Sequence, residues 1–135
     1  LLPPRRGRLR AVDPAEERAR ELMRAVVGER DFEAYERLGF VSVTGKNPRY
    51  AYLVYPFRPL VAYDTQTGEL LAEYCVGFSD DGERLPPADD VLAKWMSLRG
   101  IEDDLISEAN LNLPGHQVDP DHARRDIARL RELGC

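Results

Sequence analysis

The hydrophobic period of this chain changes at residue 40, and that change limits the folds open to it. Up to Gly39, apolar residues recur at helical spacing. From Phe40 they alternate, in four β-rich runs, "FVSVTG", "RYAYLVY", "LVAYD" and "ELLAEYCVGF". The segments between them, "GKNP", "PFRP" and "TQTG", are turn-formers, so the spacing predicts a small antiparallel meander of three to four strands. Pro56 and Pro59 predict an irregular second link or an edge. In "RYAYLVY", Tyr50, Tyr52 and Val54 oppose Ala51, Leu53 and Tyr55, two faces of similar apolarity. A central strand covered on both sides by helices is expected. In the last run Leu70, Ala72, Tyr74 and Val76 form the better core face, against Leu71, Glu73 and Cys75.

Helical signals flank the sheet. "AVDPAEERARELMRAVVGER" offers Asp13 as N-cap, Pro14 at the first helical position and Gly28 past the end. Its expected buried stripe is Ala15, Ala19, Leu22, Met23 and Val26. "RDFEAYERLG" restarts with Asp31 as N-cap, turns Phe32, Tyr35 and Leu38 inward and stops at Gly39. After the sheet, Pro86 and Pro87 lead into a helix ending at Gly100, with Val91, Leu92, Trp95, Met96 and Leu98 buried. "IEDDLISEANLNLPG" reads as a further short helix with Ile101, Leu105, Ile106 and Ala109 inward. "VDPDHARRDIARLRELGC" gives a last one, capped by Asp119, with Ala123, Ile127 and Leu130 on one face. The expected fold is α+β: an N-terminal helical hairpin, a small antiparallel sheet and three C-terminal helices. A basic arm, residues 1–12, precedes a single globular domain, residues 13–135.

Charge narrows the function classes. The chain carries a net −5, which disfavours a protein that coats nucleic acid. The imbalance is local. Arg5, Arg6, Arg8 and Arg10 stand in a stretch without an acid, whereas residues 79–110 hold nine acids against Arg84, Lys94 and Arg99. Such a pattern, a short basic arm on an acidic body, can serve self-assembly, the arm of one copy on the body of the next. No uncharged run could span a membrane, and "LLPPRRGRLR" lacks the apolar core of a signal peptide. Two cysteines far apart in sequence, Cys75 and Cys135, make no disulfide framework, so a reducing compartment such as the cytoplasm is expected.

The stretch "LLAEYCVGFSDDGERLPPADDVLAKWMSLRGIEDDLISEAN" resembles a pattern in short proteins of bacteria and their phages. In that pattern a strand ends near a cysteine, a loop carries Pro-x-x-Asp, a helix contains Leu-Ala-x-Lys, and an acidic stretch ends in Ala-Asn. The matching positions are Cys75, Pro87, Asp90, Leu92, Ala93, Lys94, Glu108, Ala109 and Asn110, with Leu92-Ala93-Lys94 lacking the intervening residue. The resemblance extends over residues 16–112. It departs after the cysteine, where a small residue, His and Pro give way to Val76, Gly77 and Phe78, so no Cys–His site is carried over. The resemblance implies a phage or mobile-element origin and no particular activity.

The residues offer few catalytic constellations. Cys75 has no histidine near it in sequence and reads as a packed thiol. "GHQVDPDH" places His116, Asp119, Asp121 and His122 close together. Metal ligands must converge on one point, and Asp119 and Asp121 already serve the start of a helix. The pairs Asp89-Asp90 and Asp103-Asp104 likewise read as helix-turn acids. "GKNPR" lacks the glycine spacing of a phosphate loop. The tyrosines of residues 50–64 read as core packing rather than a base-stacking face, because only Lys46, Arg49 and Arg58 supply charge nearby. A non-enzymatic binding or assembly protein without cofactor is therefore expected, contacting itself or a host protein complex. The alternative is a nucleic-acid-binding accessory protein using Arg5, Arg6, Arg8 and Arg10 with Arg124 and Arg125. Metal-assisted hydrolysis at His116 and His122 is a weaker third reading.

Overall fold

The computed structural model describes residues 13–77 and 85–134. Helix α1, Pro14–Val27, begins where the sequence places it: Asp13 accepts the Ala15 amide at 3.1 Å, and Pro14 follows. Its buried stripe is narrower than expected. Ala19 and Met23 are buried, but Leu22 and Val26 are 53% and 40% exposed. Helix α2, Glu29–Leu38, starts directly at Gly28, whose φ of +93° lets the chain turn without a break. Asp31 is therefore not the expected N-cap. It lies inside the first turn, and its carboxylate accepts the Trp95 indole N–H at 3.0 Å.

Among the described residues five antiparallel strands follow rather than three or four: β1 Val41–Thr44, β2 Tyr50–Val54, β3 Leu60–Asp64, β4 Leu70–Cys75 and β5 Asn110–Asn112, paired in chain order. Asn-Leu-Asn is a poor strand former, and only its pairing with Glu73, Tyr74 and Cys75 makes β5. The register of β3 and β4 shifts: Ala62 faces Ala72 but Tyr63 faces Leu70. This bulge sends Leu70 to the opposite side from Ala72 and Tyr74, against the face expected from strict alternation.

Helix α3, Pro87–Glu108, runs through Gly100 and kinks at Ile101, which leaves the helical region at φ −139°. Two expected helices are thus one element with a bend, and Ile101 is exposed rather than inward. Helix α4, Pro120–Leu133, is capped by Asp119, which accepts the Asp121 amide at 3.0 Å, and ends at Gly134 with φ +89°.

Both faces of the sheet are covered, as the apolar faces of β2 require. On one side Val41, Val43, Tyr52, Val54, Leu60 and Ala62 pack with Ala19, Met23, Val91 and Leu98 of α1 and α3. On the other, Ala51, Leu53, Tyr55, Val61 and Tyr63 pack with Ala123, Ile127 and Leu130 of α4. Helix α2 touches α1, β1 and α4, so it lies beside the β1 edge between the two layers.

Tyr52, Tyr55 and Tyr63 are buried, which makes them core residues, while Tyr50 is the open one. Each hydroxyl on this core has a polar partner. Tyr52 donates to Glu102 at 2.6 Å, Tyr55 to Asp126 at 2.7 Å and Tyr35 to Glu16 at 3.3 Å. Burial first, and then the neighbouring carboxylate, push all three phenols above their usual range. The unfolded chain loses these protons first, so their contribution is whole below about pH 10 and falls as pH rises beyond it. Each phenol adds a slope of up to about 1.4 kcal/mol per pH unit. Urea titrations between pH 9 and 11 should show this decline, flatter in Tyr52→Phe and in Tyr55→Phe. An unchanged slope in both variants would contradict it.

Candidate functional site

The edge strand β1 is the floor of a cavity of about 320 Å³. The Gly45 amide donates to the Tyr50 carbonyl, which fixes the alternation of the ladder. Val41 and Val43 bond towards Val54 and Tyr52, so Ser42 and Thr44 direct their N–H and C=O groups away from β2. Those groups face the cavity edge, and no described residue takes them up. Ser42 Oγ itself lies 2.7 Å from the Tyr63 hydroxyl.

Three helices bring arginines to this edge: Arg30 from the first turn of α2, Arg99 from α3 and Arg131 from the last turn of α4. Each is oriented by a neutral group. Arg30 donates to the Gly134 carbonyl at 2.6 Å, and Arg131 to the Thr65 carbonyl at 3.2 Å. The Arg99 guanidinium sits over the Trp95 ring, 5.1 Å from its centroid. Arg20, Arg24, Arg37, Arg49, Arg124 and Arg129 each hold a carboxylate, whereas Arg18, Arg58 and Arg125, which do not line the cavity, hold none among the described residues. Among the described residues the only acid lining the cavity is Asp31, already engaged by Trp95. Three positive charges thus face one negative charge. The back wall is apolar, made by Ala51, Ile127 and Leu130.

The other buried ionisable groups have internal work. Lys94, 1% exposed, contacts Asp90 at 2.6 Å and donates to the carbonyls of Tyr55 and Arg58. Burial depresses the Lys94 ammonium below the usual lysine range, with Asp90 opposing. Asp90 also accepts the amide of Phe57, which is held at a left-handed φ of +62°. Glu73, also 1% exposed, accepts the amides of Gly115, Gln117 and Val118. Asp126 is shared by Tyr55, His122 and Arg129.

Of the sequence-derived candidates, Arg5, Arg6, Arg8 and Arg10 lie outside the described residues. Arg124 and Arg125 are exposed on α4, where Arg124 bonds Asp121 at 3.2 Å; neither lines the cavity. The "GHQVDPDH" residues do not meet at one point: Asp119 caps α4, Asp121 pairs with Arg124, and His122 Nε2 contacts Asp126 at 3.1 Å. Among the described residues no group of three or more His, Cys, Asp or Glu is placed to hold a metal. Cys75 Sγ is half-buried and contacts the side-chain amides of Asn112 and Gln117. Among the described residues no helix is long and apolar enough to cross a membrane.

The cavity arginines carry no signal in the sequence. They stand alone, 69 and 32 positions apart along the chain by their numbers, in helix turns where an exposed arginine is ordinary. Their lack of an acid partner among the described residues could be read only once the three helices were in place. Comparison with protein-family models, with curated proteins and with solved structures finds no significant match for this chain.

Proposed function

We propose that this protein is a non-enzymatic binding or assembly protein, contacting itself or another protein through the arginine cavity at the β1 edge. The observation that supports this reading is the trio Arg30, Arg99 and Arg131, held in place by two carbonyls and a ring and paired with no carboxylate among the described residues. Oriented guanidiniums of this kind bind an incoming anionic group with little further loss of side-chain freedom. For self-contact, the exposed acids Asp104 and Glu108 on α3 are a complementary surface on a second copy, Asp103 being paired with Lys46. Origin in a phage or mobile element rests on the sequence resemblance alone.

Light scattering after size exclusion tests the reading, on nuclease-treated chain purified from its native source. The wild-type chain is expected to elute with itself or a protein partner, and Arg30→Glu/Arg99→Glu/Arg131→Glu as a free monomer. These residues are exposed, so the variant should keep its fold, which circular dichroism verifies. A wild-type complex that collapses on nuclease treatment would move the function to nucleic acid. An unchanged complex in the triple variant would remove the cavity from the contact.

A further inference from the structure

The geometry points to a phosphate monoester as the group this cavity takes, a step that rests on the binding reading above and specifies its ligand. Charge is the first argument. Arg30, Arg99 and Arg131 against Asp31 leave two positive charges, which match a phosphate dianion and overmatch a single carboxylate.

Donor number is the second. Around the cavity stand three guanidiniums, the outward amides of Ser42 and Thr44, and the hydroxyl of Thr44, while the Thr65 hydroxyl is already given to the Pro48 and Arg49 carbonyls. A carboxylate has two oxygens to offer them. A phosphate monoester has three terminal oxygens, enough to engage guanidiniums from separate helices and a strand amide together. The edge amides add fixed N–H dipoles like those of other backbone anion sites.

Shape is the third. The cavity is a half-open recess at the β1 edge, with α2 beside β1 and Ala51, Ile127 and Leu130 supplying its apolar lining. That form suits a compact head group with a short apolar stem better than a long strand of partner chain. The carrier of the phosphate can be a small ester or a modified side chain, and the chemistry at the cavity is the same for both.

The test is a titration of the full chain with phenyl phosphate at pH 7.5, followed by amide chemical shifts in NMR. Inorganic phosphate, acetate and a tripeptide with central phosphoserine are titrated in parallel. Ser42 and Thr44 amides should shift with phosphate ligands, and acetate should bind at least about tenfold more weakly. Arg30→Gln/Arg131→Gln should weaken phenyl phosphate at least about tenfold, whereas Arg124→Gln/Arg125→Gln, outside the cavity, should not. Tighter binding of the phosphoserine peptide than of phenyl phosphate would assign the phosphate to a modified protein, and the reverse to a small ester.

Equal binding of acetate and phosphate would overturn the inference while leaving an anionic protein contact standing. Shifts away from Ser42 and Thr44, or an unchanged affinity in Arg30→Gln/Arg131→Gln, would overturn it too. Phosphate binding at the cavity together with a complex that survives the triple charge reversal would uphold the ligand and remove the assembly role.

Discussion

Lys94→Ala is expected to lower folding stability by about 3–5 kcal/mol, the usual consequence of breaking a buried ion pair from one side. The substitution strips Asp90 of its cation in a site where the carboxylate is 5% exposed. It also leaves the carbonyls of Tyr55 and Arg58 without their donor. Those groups belong to the link between β2 and β3, where Phe57 holds its left-handed conformation with its amide on Asp90. The pair therefore fastens α3 to a strained turn as well as neutralising itself. Urea unfolding measures the loss. The double variant Asp90→Ala/Lys94→Ala should be destabilised by less than the sum of the two single changes, because it buries no orphaned charge. Strict additivity, or a loss below about 1 kcal/mol in Lys94→Ala, would show that the pair is not a buried unit.

Glu73→Ala has the second large expected effect, about 3 kcal/mol, from the desolvation penalty of amides left without an acceptor. Glu73 lies on the α4 side of β4 and gathers the amides of Gly115, Gln117 and Val118 onto one carboxylate. Val118 is itself part of the core beneath α4, at 2% exposure. Without the carboxylate its amide is buried and unpaired, and water can reach only the outer part of the loop. Glu73→Gln keeps an acceptor oxygen and should lose far less. Faster amide exchange over residues 113–118 should accompany the Ala variant. If exchange there is unchanged and both variants unfold with wild-type midpoints, Glu73 does not organise the loop.

Glu73 also shows where alternation along the sequence stops being informative. Set among Leu71 and Cys75, it marks the face expected to be the poorer core side, yet it is among the most buried residues of the sheet. The burial is possible because its partners are backbone amides forty-odd positions away, which a periodicity of two cannot register. Leu22 and Val26 err the other way. Their helical spacing predicts burial, but among the described residues α1 packs into the core along the line of Ala19, Met23 and Val27. β5 was missed because nothing in Asn-Leu-Asn favours a strand without β4 beside it.

The sequence by itself determined what is settled within a few residues: the caps Asp13 and Asp119, the glycine stops at Gly28, Gly39 and Gly134, the turns of the meander, the double-sided strand β2 and the α+β class. Those features follow from hydrogen bonds and steric limits that neighbouring residues impose on one another. Tertiary structure alone decided which surplus charges meet. Arg30, Arg99 and Arg131 converge because α2 lies beside the β1 edge while α3 and α4 cover opposite faces of the sheet. Each is one exposed arginine among many in the sequence, and the shared field they make exists only between elements that the chain connects at long range.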